Sequence, residues 1–272
     1  INYHRYLYHV LDKQEISDEA HDSLKHELAE LERQFPKLVT SDSPTQRVGG
    51  EPLDKFEKAE HASPMLSMDD IFSKEELNDW EEYLKRLLPN EKIEYFCETK
   101  IDGFAISLIY QYGVLKRAAT RGNGRVGENV TQNIKTIESV PLRLEKEVKG
   151  EFEIRGEVFM DKKTFEQVNY EQKKKGEKEY ANPRNLAAGS VRQLDPKATV
   201  KRKLKFLAYD IVGADFKKHS DEHEALHALG FRTDRRTEIC QNMDGVYKFW
   251  QGAVKLREKL NYQIDGIVVS VN

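Results

Sequence analysis

The chain has 272 residues and a mass of 31.6 kDa, enough for one or two domains with a real hydrophobic core. Apolar residues make up 38% and aromatics 10%, and 44 basic against 47 acidic side chains leave a net charge of −3; disorder is excluded, and nothing in the balance points to nucleic acid. Cys97 and Cys240 match no C-x-x-C or zinc-finger spacing, and neither a signal peptide nor a membrane-length apolar run is present, so the expectation is a soluble, cytoplasmic protein without a cysteine-built metal site.

Helical periodicity begins at once, with Tyr3, Leu7, Val10 and Leu11. A second stripe, Leu24, Leu28, Leu31 and Phe35, follows Ser17 as its N-cap and stops at Phe35-Pro36. The chain opens on Ile1 without a methionine and stops at Asn272 straight after Ile267-Val268-Val269, as a piece of a longer protein would. Turn formers at Ser41-Asp42-Ser43-Pro44 and Gly49-Gly50-Glu51-Pro52 mark a boundary, giving a small all-α domain over 1–52 and a larger domain over 53–272. In the larger domain a helix is predicted over Lys74–Leu88. Period-two strands are predicted at Ile93–Thr99, Phe104–Gln111, Val114–Thr120, Phe152–Met160, Lys205–Val212 and Ile264–Val271. Helices are predicted at Val130–Ile137, Lys162–Lys174, Pro183–Leu194, His219–Leu229 and Val246–Leu260. Hairpin-linked strands with intervening helices indicate an α+β fold built on antiparallel sheets, not a doubly wound parallel sheet.

The chemistry concentrates in Glu98-Thr99-Lys100-Ile101-Asp102-Gly103. On a strand Glu98, Lys100 and Asp102 share one face, and Gly103 permits a sharp turn or a close backbone approach. A lysine facing a buried pocket is a candidate covalent nucleophile. On the Phe152–Met160 strand, Phe152, Ile154 and Val158 form the apolar face and Arg155 and Glu157 the other. Asn182 and Pro183 start a helix that Asp195-Pro196 is expected to end. Arg184 and Arg192 lie eight residues apart on it, a spacing suited to an extended polyphosphate or nucleic-acid backbone.

Lys100-x-Asp102-Gly103 resembles the nucleotidyl-transfer motif of the ligase and capping-enzyme superfamily. Further motifs resemble one branch, the NAD-dependent bacterial DNA ligases, from end to end: His61-x-x-Pro64-Met65-Leu66-Ser67-Met68, Thr120-Arg121-Gly122-Asn123-Gly124-x-x-Gly127-Glu128, Arg155-Gly156-Glu157, Ala181 to Pro196, and Asp265-Gly266-Ile267-Val268. The resemblance implies a nucleotidyltransferase (ATP-grasp-like) adenylation domain behind a helical domain that grips the nicotinamide mononucleotide (NMN) half of NAD. It implies that Lys100 takes AMP from NAD with magnesium present, that the AMP passes to the 5′-phosphate of nicked double-stranded DNA, and that the 3′-hydroxyl displaces it. Lys100, Asp102, Arg121 and Glu157 would be catalytic. Glu98 would read adenine, Ser67 and Met68 border the base, Asp265 lie in the adenylate site, and Arg184, Arg192 and Arg257 serve phosphates. Tyr8, His9, Asp18, His21 and Asp22 would hold NMN. DNA-gripping modules downstream of residue 272 in the family imply a monomeric fragment that self-adenylylates but binds and seals nicks weakly.

Three positions depart from that pattern. His21 stands in place of tyrosine, Asn123 in place of aspartate, and Ser270 in place of a lysine that contacts the adenylate. The last keeps open a nucleotide-binding module with impaired transfer. Gly122-x-Gly124-x-x-Gly127 also fits the dinucleotide fingerprint, making a Rossmann dehydrogenase a rival, although a hairpin strand precedes it. His219, His223 and His227 recur every four residues, a chelating spacing; with no acidic or cysteine partner evident, their helix is expected to face solvent.

Overall fold

The computed structural model describes residues 1–48 and 53–272; the predicted turn at Gly49–Pro52 and the 52/53 boundary lie outside the described residues. In chain order the elements are α1 (Asn2–His9), α2 (Asp18–Gln34), β1 (Lys58–Glu60), α3 (Lys74–Leu87), β2 (Tyr95–Ile101), β3 (Phe104–Gln111), β4 (Val114–Thr120), β5 (Val126–Glu128), α4 (Thr131–Lys135), β6 (Glu151–Phe159), α5 (Lys162–Lys174), α6 (Pro183–Val191), α7 (Pro196–Val200), β7 (Lys205–Val212), α8 (His219–Ala228), β8 (Glu238–Cys240), α9 (Met243–Leu256) and β9 (Ile264–Val271). Short 3-10 turns cover Pro36–Leu38, Pro44–Arg47 and Arg257–Lys259. Among the described residues no helix is long and apolar enough to cross a membrane.

Every strand pairing is antiparallel, in sheets ordered β4-β3-β6-β7, β8-β2-β9 and β1-β5. The fold is therefore mixed α and β with antiparallel sheets. Alternation sends Ile106, Leu108, Ile154, Val158 and Phe206 into the main core, where Ile134, Val140, Leu186, Leu226 and Phe231 cover them. In β2 the odd residues Tyr95 and Cys97 pack against Cys240, Met243 and Val246, backed by Leu77 and Trp80 of α3. The even residues of β2 face the other way, toward the four-stranded sheet. Ile101, Phe159 and Leu207, with Tyr262, form the small apolar cluster that joins the sheets.

Local capping explains most helix starts. Ser17 accepts from Ala20 N at 3.2 Å, and Ser73 from Glu76 N at 3.1 Å. Asn182 does the same for Asn185 N at 2.7 Å, with Pro183 in the first helical position. Asp195 accepts from Lys197 N at 2.9 Å, so Asp195-Pro196 opens α7 instead of closing α6, which stops at Val191. Asn242 likewise starts α9 three residues before the expected Val246. The three-residue strands β1, β5 and β8 are too short to show a period.

The N-terminal stripe is less buried than its periodicity suggests: Leu24, Leu31 and Phe35 are 40%, 47% and 54% exposed. Docking of this region rests on the buried Leu7 and Val10, on ion pairs such as Asp12 with Arg232, and on two buried arginines. Arg5 Nη1 donates to the Glu138 carbonyl at 2.6 Å. Arg47 donates to the carbonyls of Lys135, Ile137 and Val140 at 3.0, 3.1 and 3.0 Å, with Glu138 Oε2 3.4 Å from its Nε. Burial pulls the Arg47 guanidinium down to about 10. Arg47→Ala strands three buried acceptors and should cost about 3 kcal/mol, read as a lower urea midpoint.

Candidate functional site

The site grows from the even face of β2. Lys100 pairs with Gly266 of β9, and its Nζ lies 2.8 Å from Asp265 Oδ2. A register shift between Lys100 and Ile101 breaks the alternation, so Asp102 leaves the strand; its N–H donates to the Gln263 carbonyl at 2.9 Å. Arg184 Nη1 meets Asp102 Oδ1 at 3.2 Å. Gly103 is obligatory here, because a Cβ would lie 2.5 Å from the Val158 carbonyl oxygen and 2.7 Å from Glu157 Cγ. Glu157 is thereby brought into the field of Arg184 and Lys100. Burial dominates those cations and pushes its carboxyl up to about 8.

Glu98 is 6% exposed on the same face, and burial first, then the charges of Asp234 and Glu222, raises it to about 8 as well. Tyr209 was not singled out from the sequence. It sits where the β6–β7 register shifts between Arg155 and Gly156, and burial raises its hydroxyl well above the usual range, helped by the charges of Glu157, Asp210 and Glu98. A bulge re-aims a side chain, and no periodicity announces it.

A second layer closes over this face. Arg121 Nε donates to the Met65 carbonyl at 3.1 Å and Nη2 to Ser67 Oγ at 2.6 Å, while Met68 beside them is 56% exposed. Arg155 donates to the carbonyls of Pro64 and Ser63 at 3.2 and 2.7 Å and is itself held by Glu153 at 2.7 Å. The glycine loop between β4 and β5 leads into a strand, not a helix, which removes the dinucleotide-fingerprint rival. Gly124 there has φ +89°, and Asn123 Oδ1 accepts from Arg125 N and Val126 N at 3.0 and 2.9 Å, a turn that an aspartate would also make.

The two helix arginines hold different carboxylates. Arg192 is the C-cap of α6, bound to Glu128 at 2.8 Å and lying over the Phe104 ring at 5.0 Å, while Arg184 holds Asp102. Arg257 lies in an exposed turn whose carbonyl accepts from Lys162 Nζ at 3.1 Å, and it has no ion pair among the described residues. Ser270 pairs with Phe96, on the same face as Lys100 but four residues along β9 from its partner Gly266.

A separate cavity of about 280 Å³ lies against the N-terminal helices. Tyr8, His9, Asp18, His21 and Asp22 line it together, with His4, Glu15 and Glu138. Burial lowers His9 to about 4, so its ring is neutral near pH 7, and burial also lowers His21. Among the described residues His4 Nδ1 and His21 Nε2 are buried without a hydrogen-bond partner, which leaves polar atoms for a ligand to satisfy. Glu138 comes from the far side of the chain, and nothing in the sequence marks it.

The helix carrying the histidines does not face solvent as expected. His223 is 7% exposed, packed on Phe96 with ring centroids 4.5 Å apart, and His219 lies 5.1 Å from the same ring; only His227 is exposed. Glu98, His219 and His223 bring one ligand atom each within 4.8 Å of the others.

Glu157 tests the electrostatic reading. Its folded pKa lies above the unfolded 4.5, so the folded state holds the extra proton and stability falls as pH rises from about 4.5 through about 8. Glu157→Gln should melt several degrees above the parent near pH 8.5 and close to it near pH 4.5, measured by thermal denaturation at both.

Residues 53–272 match the family model described as the NAD-dependent DNA ligase adenylation domain, and residues 1–49 match the DNA ligase-like, N-terminal NAD+-binding domain. Among curated relatives, the DNA ligase of Thermoanaerobacter sp. (strain X514) is 50% identical over 275 residues, covering 100% of this chain and 41% of the relative. Those of Halothermothrix orenii and Rubrobacter xylanophilus are 50% and 48% identical over 277 residues, again covering the whole chain and 41% and 40% of the relatives. The chain spans about two fifths of the length of the curated relatives it matches.

Proposed function

The chain belongs to the NAD-dependent DNA ligases through their adenylation domain, and from that premise we propose that it transfers AMP from NAD to Lys100 and releases NMN. The observation that carries the reading is Lys100 Nζ held at 2.8 Å from Asp265, amid Glu157, Asp102 and Arg184. Residues 53–272 act as a nucleotidyltransferase domain, and residues 1–52 as the unit that grips NMN in the cavity lined by Tyr8, His9, Asp18, His21 and Asp22.

Lys100 must lose a proton before its nitrogen can attack, and Asp265 is the acceptor within reach. The nitrogen then bonds to the α-phosphorus, the bond to the NMN phosphate oxygen breaks, and a phosphoramidate remains on Lys100. Glu98 accepts from the adenine, Glu157 from the ribose, and Arg121 and Arg184 face the phosphate charge. Arg184 exchanges Asp102 for a phosphate oxygen at similar cost, since both are anionic acceptors for one guanidinium. Asp102, Glu157 and Asp265 are hard oxygen donors of the kind that hold magnesium beside phosphate, and the ion supplies charge neutralisation there when bound. Passage of AMP to nicked double-stranded DNA is the later step.

A second reading, a nucleotide-binding module with slow transfer, is favoured by Ser270, whose neutral hydroxyl on the Lys100 face cannot offset phosphate charge.

Intact-mass spectrometry after incubation with NAD and magnesium should show a single adenylyl adduct, absent in Lys100→Ala and not formed when ATP replaces NAD. An adduct that survives Lys100→Ala would overturn the assignment. Ser270→Lys should raise the single-turnover rate about tenfold, the worth of one charge-assisted hydrogen bond; an unchanged rate would mean that another cation already fills the position.

A further inference from the structure

Two histidines that the ligase chemistry leaves unused lie against its adenine-reading carboxylate. His219 and His223 are one turn apart on α8, and that helix packs its histidine side onto the even face of β2. Glu98 Oε2 lies 3.7 Å from His223 Nε2, and each is almost wholly buried. Among the described residues neither ring nitrogen of His223 has a hydrogen-bond partner, though both are shielded from water. A buried imidazole with two idle nitrogens lacks a ligand, because folded proteins satisfy nearly all such groups.

His219 supplies the complementary feature. Its Nδ1 is held by Glu222 Oε2 at 2.8 Å, which orients the ring and leaves Nε2 as its free nitrogen. A carboxylate behind a histidine is the arrangement that fixes the ring and raises its basicity toward a metal. Glu222 is fixed in turn by the backbone N–H of Ile211.

We propose that Glu98, His219 and His223 form a site for a divalent transition metal, with zinc the best match. Two imidazoles and one carboxylate are a zinc donor set with an open fourth position. The ligand atoms already lie within 4.8 Å of one another, and bonds of about 2.0–2.1 Å would draw them closer by modest side-chain rotation. His219 and Glu222 also line an open cavity of about 440 Å³, which gives the ion a way in. The site stands on this geometry alone. Its consequence rests on the ligase reading: a metal on Glu98 removes the carboxylate that accepts from adenine, so zinc and NAD exclude each other.

Zinc chloride titrated into the metal-free chain without nucleotide, followed by calorimetry, should show one equivalent bound. His223→Phe, which keeps an aromatic ring against Phe96, and His219→Ala should each weaken binding about a hundredfold, and His227→Ala should not. Cobalt should give the visible absorption of a four-coordinate site without a thiolate charge-transfer band. Absence of stoichiometric binding, binding unchanged in both variants at unaltered melting temperatures, or a thiolate band implicating Cys97 and Cys240 would each overturn the site. Zinc should raise the NAD concentration needed for adduct formation in the parent and not in His223→Phe. Metal bound with the stated variant pattern but without effect on NAD would keep the site and reject adenine reading by Glu98.

Discussion

Every distance at Lys100 depends on the pairing of β2 with β9. Lys100 and Asp265 are separated by 165 positions in sequence, and only this ladder brings them into contact. The alternation of a strand divides β2 cleanly, with Tyr95 and Cys97 under α3 and α9 and with Phe96, Glu98 and Lys100 toward the cleft. A slip of one residue would drive the lysine into that apolar layer and turn Cys97 toward the site, so the register is held by burial on one side and by chemistry on the other. Thr99 secures it further, donating to Asp234 through both N and Oγ1, at 2.7 and 2.6 Å.

The cleft is rich in acids for a place proposed to receive a polyphosphate, and the pairing explains how it remains workable. Lys100, Arg184 and Arg192 are each held by a carboxylate: Asp265, Asp102 and Glu128. The acids position the cations and screen their mutual repulsion while the site is empty. Among the described residues Glu98 and Glu157 form no ion pair with a lysine or arginine, and burial outweighs nearby cations to favour their protonated forms. A neutral carboxyl can donate as well as accept, which suits the proposed contacts to a base and to sugar hydroxyls.

Much of this was legible in the residues. The strands β3, β4, β7 and β9 stand where period-two alternation puts them, and α2, α3 and α6 begin where Ser17, Ser73 and Asn182 cap them. What escaped has physical causes. Periodicity states which residues share a face but not which layer covers it, so the inward turn of His219 and His223 was invisible until α8 was seen packed against β2. A bulge has no period, which hid Tyr209. Glu138 belongs to an irregular loop, and its place in the N-terminal cavity follows from the docking of Arg5 and Arg47, a contact between segments far apart in the chain. The exposed Leu24 and Leu31 show the same limit from the other side, since an apolar stripe need not find a cover.

The β2–β9 ladder also sets an order of events in the life of the chain. Local hairpins such as β3–β4 can close as soon as they are made, but a contact spanning most of the sequence waits on a slow loop closure. During synthesis, β2 leaves the ribosome with both edges unpaired, and they stay so until β8 and β9 arrive. Lys100 therefore acquires its Asp265 partner only after 165 further positions of chain have been made, well after the local hairpins can close.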